Sequence, residues 1–148
     1  MKVFVIDSST CLKWVLKDEV NYKIAQLILK DYLEGKIALV APNLWVYEVA
    51  NGLNSAVLSK RITISKAKRL LGLIIKTKPN LLPMEPVIQK CLKNSNKYKI
   101  SIYDSVYISL AEEHKISLLS SDKKLISKVK SPKLMQPIEN YQTKASFK

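Results

Sequence analysis

Short, wholly apolar runs alternate along this chain with longer stretches in which apolar residues return every three or four positions. The first run, Lys2-Val-Phe-Val-Ile-Asp7, has strand length and ends in an acid. Similar runs fall near residues 37–40, 81–82 and 116–119, with a weaker one near 133–135 that suits an edge strand. Apolar residues throughout, rather than in alternation, mark strands buried on both faces of a parallel sheet. Helical stretches separate them. Ser8-Ser9-Thr10 open a helix through CLKWVLKDE; others span 21–33, 44–59, SKAKRLLGLIIKT after Thr63 or Ser65, Glu85 through Leu92, 102–114 and KKLISKV. Asn94 to Lys99 reads as a polar loop. Strand and helix in turn predict a three-layer α/β fold, a mostly parallel, short-stranded sheet flanked by helices. The 148 residues read as one domain, 1–140, followed by a polar tail, 141–148.

Three helices carry more detail. Residues 102–114 are too rich in apolar side chains for a surface helix, so that helix should be largely buried. Ser101 and Asp104 match a capping box at its start, and His114-Lys115 close it with basic residues. Gly35 suits the C′ position after helix 21–33. On helix 44–59, Trp45, Val49, Leu53, Ala56 and Val57 share one face, with Glu48, Gly52 and Ser55 at its margin. A glycine in a helix interior costs about 1 kcal/mol, so Gly52 predicts the close approach of another backbone or of a substrate.

Charge changes the picture. Lys and Arg number 25 against 12 Asp and Glu, a formal net charge of +13. That excess predicts a polyanionic partner, nucleic acid or an anionic membrane face. No run of 18 apolar residues spans a membrane, and the first residues lack a signal-peptide layout. Only Arg61 and Arg69 are arginines, which argues against base-specific readout. Candidate phosphate contacts are Lys13, Lys60, Arg61, Lys68, Lys97, Lys123 and Lys124. Cys11 and Cys91 form no CxxC pair or zinc spacing and read as buried, reduced thiols of a cytoplasmic protein. The single histidine, His114, argues against a histidine metal site.

Four of the acids recur at equivalent places. Asp7 and Asp122 each end a strand and precede a helix, where open α/β sheets bind ligands. Glu48 and Asp104 lie within a turn or two of helix starts that follow connections from the sheet's same end. Each also has a plain structural explanation, as an N-cap, a capping-box member or an acid favoured by the helix dipole. If they converge, their charges repel and their pKa values rise unless a cation compensates. Mg²⁺ or Mn²⁺, which take oxygen ligands, would compensate, activate a water and stabilise in-line displacement at phosphorus. Lysines would hold the polynucleotide backbone. An aspartyl-phosphate enzyme using Asp7 is the weaker option, because position 9 is Ser where a second Asp is usual.

VFVIDSS with the following KW, APNLWVYEVANGL, ISIYDSVYISLAEEH and LLSSDKKL together resemble the motifs of PIN-domain ribonucleases. The resemblance is nearer to the VapC-type toxins of toxin–antitoxin pairs, and runs over nearly the whole chain in the family's order. It implies a PIN-like fold and a Mg²⁺- or Mn²⁺-dependent endoribonuclease, homodimeric and held inactive by a cognate antitoxin protein. The family's acidic quartet of catalytic and metal-binding residues falls on Asp7, Glu48, Asp104 and Asp122. Ser8 matches a common family residue, and Ser120 stands where the family usually has Thr two residues before the last acid. The alternative is a non-catalytic RNA- or partner-binding module of the same fold. A homodimer is also expected from the apolar residues Leu70, Leu71, Ile74 and Ile75 of one amphipathic helix.

Overall fold

A computed structural model describes residues 1–143; the rest of the expected tail, 144–148, lies outside them. In chain order the elements are β1 (Lys2–Ile6), α1 (Ser8–Leu12), α2 (Tyr22–Leu33), β2 (Ile37–Pro42), α3 (Leu44–Leu58), α4 (Ile64–Lys76), β3 (Asn80–Leu82), α5 (Ile88–Tyr98), α6 (Ile102–His114), β4 (Ser117–Ser120), α7 (Lys123–Val129) and β5 (Met135–Pro137). The strands form one sheet in the order β3-β2-β1-β4-β5, and every pairing is parallel. This is the three-layer α/β fold expected, with helices flanking the sheet.

Apolar strands make the centre. Val5, Ile6, Leu118 and Leu119 are fully buried, and so are Trp45 and Val49 of α3 and Ile108 of α6. From Ser105 to Ala111 every residue of α6 is buried, as its composition predicted, because the helix lies between β1, β2, β4 and α5. Buried polar groups between α5 and α6 find partners: Asn94 Nδ2 donates to Ser109 Oγ (2.9 Å) and Ser105 Oγ to the Cys91 carbonyl (2.6 Å). Both cysteines are buried free thiols.

Several boundaries differ from expectation. The helix predicted through CLKWVLKDE stops at Leu12, because Lys13, Trp14 and Val15 donate to carbonyls three residues back in a tight turn. That turn carries Trp14 and Leu16 into the core. The expected loop 94–99 is mostly helix: α5 runs to Tyr98 and ends on Lys99 in the left-handed region (φ 56°). Its polar residues are helical because α6 offers Asn94 a buried partner. Gly52 faces neither backbone nor open groove. A Cβ there would stand 2.2 Å from Leu12 Cδ1, so the glycine lets α1 pack on α3. Leu70 and Ile74 turn into the protein's own core and cannot form a dimer surface.

The tail begins with an anchor. Tyr141 is buried edge-on against Phe4, and its hydroxyl donates to Asp31 Oδ2 (2.7 Å). Thr143 Oγ1 donates to the same oxygen (2.8 Å), and Lys36 Nζ lies 3.6 Å from Oδ1. Burial raises the Asp31 pKa, but the two hydroxyls and Lys36 outweigh it and hold the carboxyl below its usual value. The stabilisation is therefore present above the unfolded value of 3.8 and is lost as pH falls through the lower folded value. Tyr141→Phe should cost about 1–3 kcal/mol at neutral pH, a fall in melting temperature of roughly 2–4 °C for each kcal/mol. Melting curves of both proteins should draw together only as pH falls below the usual carboxylate range and Asp31 takes up its proton.

Candidate active site

β1 has β2 on one side in the sheet and β4 on the other, so the order in which strands are added across the sheet reverses between β1 and β4. A crevice beyond the carboxyl ends of two such strands is where this architecture binds ligands. Asp7 stands there, one residue past β1, its N–H directed to the Leu119 carbonyl (3.4 Å). Its Oδ1 accepts from Thr10 N (2.9 Å) and Ser9 Oγ (3.0 Å), which makes it the N-cap of α1. Its Oδ2 accepts a short hydrogen bond from Ser120 Oγ. Ser120 ends β4 and also accepts from Asp122 N (3.0 Å), while the hydroxyls of Ser9 and Ser121 meet at 3.0 Å. Asp122 caps α7, its Oδ1 accepting from Leu125 N (3.0 Å).

Two helices bring the other acids. Glu48 lies in the first half of α3, half-buried, and its Oε1 accepts from the Tyr107 hydroxyl (2.6 Å). Asp104 is in the first turn of α6. Ser101 Oγ accepts from the Asp104 N–H (3.1 Å), so the forward half of the capping box forms without using the Asp104 carboxylate. Asp7 and Asp122 are thus true caps, and capping leaves them at the mouth of the same crevice.

Electrostatics link all four acids. Burial raises the pKa of Asp7 against the pull of Ser120, Thr10 and Ser9. Glu48 is raised by burial, with the charges of Asp104 and Asp7 adding to it and the Tyr107 bond opposing. Asp104 is raised by burial and by the charges of Asp122 and Asp7, with Ser101 and Lys128 opposing. Burial and the adjacent Glu48 charge push the Tyr107 phenol far up, so it remains a protonated donor. No three His, Cys, Asp or Glu side chains among the described residues already close around a metal-sized point. The donor chemistry nonetheless suits a hard divalent cation: carboxylate oxygens that repel one another and lack a basic partner among them. Two cavities of about 520 and 630 Å³ lie elsewhere and include none of the four acids.

The basic residues divide into two groups. Arg61 is held by Asp18 (2.9 Å) and Glu19 (3.0 Å), and Lys13 Nζ lies 4.0 Å from Glu19. Lys60, Lys68, Lys97, Lys123 and Lys124 are exposed, with Lys97 over the Tyr98 ring and Lys123 and Lys124 directly after Asp122. Three neighbours of the acids were not foreseen. Ser9, rather than Ser8, bonds Asp7; Tyr107 bonds Glu48; and Lys128 donates to the Lys99 carbonyl (3.2 Å) within electrostatic reach of Asp104. Helical spacing could have found Tyr107, since it shares a face with Asp104 one turn away.

A carboxylate whose folded pKa is raised stabilises the fold fully below its unfolded value and loses that contribution as pH rises through the folded one. Asp104 is such a group, so its charge works against the fold at neutral pH when no cation is present. Asp104→Asn in EDTA should therefore melt at the same temperature as wild type or higher at pH 7, and the difference should vanish near pH 4. A fall of several degrees at pH 7 would show that the carboxylate serves mainly as a cap.

The family model described as PIN domain matches residues 4–131. No curated protein matches the chain. Among solved structures, PAE2754 from Pyrobaculum aerophilum is similar with a TM-score of 0.65 at 19% identity, over 86% of this chain and 84% of that one. VapBC2 from Rickettsia felis, bound to a DNA fragment from their promoter, is similar with a TM-score of 0.59 at 13% identity, over 90% of this chain and 97% of that one. These identities speak for a shared fold, and the family match covers most of the sequence. With its acids gathered at the switch point of a parallel sheet, this chain belongs to the PIN domain family, whose members are generally nucleases.

Proposed function

We propose that the protein is a Mg²⁺- or Mn²⁺-dependent endoribonuclease that hydrolyses RNA phosphodiester bonds, and the toxin of a VapBC-type pair. The observation that carries this reading is the electrostatic coupling of Asp7, Glu48, Asp104 and Asp122 at one sheet end in a chain of net charge +13. In this reading the four carboxylates hold the cation and act as the catalytic residues. When bound, the cation lowers the pKa of a water and stabilises the charge on the attacking and leaving oxygens. Asp7 is held in place by three donors, so its orientation does not depend on substrate. Ser120 orients Asp7 and the start of α7 together, and Ser8 lines the same turn. Exposed lysines supply the hold on its backbone.

Partners follow from the same reading. A cognate antitoxin is supported by the likeness to a VapBC complex, and a homodimer by the family. With Leu70 and Ile74 buried, the dimer surface would use the exposed Leu58, Ile64 and Leu73. A cytoplasmic setting is supported by the two free thiols, and no described helix is long and apolar enough to cross a membrane. The second reading, a non-catalytic RNA- or partner-binding module, is favoured by one observation: Asp7 and Asp122 both cap helices.

Cleavage decides between them. Wild type incubated with mixed RNAs should cut them with Mg²⁺ or Mn²⁺ and not with EDTA, while Asp7→Asn and Asp104→Asn should lose at least about a hundredfold in rate. Both variants should still bind RNA. Wild-type rates in both would leave the caps as the better account. Binding should weaken with salt: about five phosphate contacts to a single strand, from Lys60, Lys68, Lys97, Lys123 and Lys124, imply a log–log slope near −3.5. Metal should also stabilise the fold. A site with a dissociation constant near 1 mM would add about 1.4 kcal/mol at 10 mM Mg²⁺, roughly 3–6 °C in melting temperature. Asp104→Asn should lose most of that rise, and Glu34→Gln, far from the crevice, should keep it.

A further inference from the structure

Tyr107 is 3% exposed, in the middle of a helix whose other inward residues are apolar or small, and it has a polar end to satisfy. Among the described residues its hydroxyl bonds one group, Glu48 Oε1, at 2.6 Å. A phenol bonded to a carboxylate at this distance is a charge-assisted hydrogen bond, of the stronger class. The two partners come from separate parts of the fold. Both helices touch β2, but α3 packs mainly against α1 and α4, whereas α6 packs mainly against α5 and the central strands. Tyr107 also follows Asp104 by three residues and shares its helix face. One helix face therefore presents a site acid directly and fixes a second one through a hydroxyl.

The consequence concerns Glu48. A glutamate side chain has three rotatable bonds, and ordering it costs conformational entropy. Half-buried on α3, Glu48 would sample several rotamers without a partner, and the repulsion of Asp7 and Asp104 would favour those that point away. The Tyr107 bond holds Oε1, while no described residue donates to Oε2. We propose that Tyr107 is a positioning residue that holds the Glu48 carboxylate ready to bind a divalent cation. This rests on the nuclease reading above. Tyr107 touches neither substrate nor cation; it acts through Glu48, much as outer hydrogen-bond partners orient the ligands of other metal sites.

Tyr107→Phe keeps the ring and removes only the hydroxyl, and its melting temperature in EDTA reports whether the fold stands. The measurement is Mn²⁺ affinity, read by the loss of the free-ion electron paramagnetic resonance signal, in four proteins: wild type, Tyr107→Phe, Glu48→Gln and the double variant. Tyr107→Phe should weaken Mn²⁺ binding about tenfold in the wild-type background. In the Glu48→Gln background the same substitution should change it less than twofold, because the group it acts through is already gone. Cleavage by Tyr107→Phe should recover toward the wild-type rate as Mn²⁺ is raised. Unchanged affinity in Tyr107→Phe, or an equal loss in both backgrounds, would overturn the proposal and assign the hydroxyl to the fold alone. Wild type that binds no Mn²⁺ and cuts no RNA would overturn the nuclease reading itself, and this inference with it.

Discussion

The Asp7 carboxylate is where the two halves of the sheet are tied at their functional end. It follows the central strand, caps α1 through Thr10 and accepts from Ser120 at the end of the neighbouring strand β4. A buried charge without donors is costly, so the surrounding hydroxyls are a condition of its being there. Ser9 and Ser120 meet that condition from two different segments. Once Asp7 is fixed, Ser120 fixes the Asp122 backbone, and α7 starts from that point. The parallel pairing of β1 with β4 is what brings these residues, over a hundred positions apart, within reach of one another.

Around that tie the fold tolerates a local conflict. Asp7, Glu48 and Asp104 all carry raised pKa values, so each is less at ease as an anion here than in water. Structural charges in the same molecule behave in the opposite way. Asp31, though buried, is lowered by two hydroxyls and a lysine, and Asp18 on the surface is lowered by Arg61. The contrast separates acids whose partners outweigh the cost of burial from acids whose hydrogen bonds do not. Raised acids clustered at a sheet end are what the proposed reading requires, in which a cation from solution would supply the missing charge.

Much of this was legible because strand burial and turn chemistry are written locally. Val3 to Ile6 and Leu118 to Leu119 are apolar without interruption, as suits a strand covered on both faces. The acids that follow those runs could be located from the same pattern. Other features depend on partners distant in sequence. Asn94 looked like a loop residue until Ser109 supplied a buried acceptor, and α5 accordingly continues to Tyr98. Gly52 suggested a groove, but the space it leaves is filled by Leu12. Arg61 counted as a free cation, yet Asp18 and Glu19 in the turn after α1 neutralise it. Spacing on α6 sets Tyr107 beside Asp104, but its hydroxyl's partner, Glu48 of α3, lies 59 residues away in sequence and is not written in α6.

Under the nuclease reading proposed above, the arrangement of charge also separates where a polyanion is held from where it is cut. Uncompensated lysines on α4, α5 and α7 attract phosphates without any cofactor. The carboxylates at the crevice repel them, since each adds negative potential where a scissile phosphate would have to lie. A divalent cation reverses the sign of the field at that one place while leaving the lysines unaffected. Binding and cleavage then respond to different ions: monovalent salt screens the first, and the divalent cation licenses the second. A chain with the same lysines but helix-capping acids alone would show only the first response. The placement of acids within a basic surface is therefore a stronger statement about function than the net charge, because a lysine-rich composition can arise without a polyanionic partner, and an uncompensated carboxylate cluster persists only at a cost to the fold.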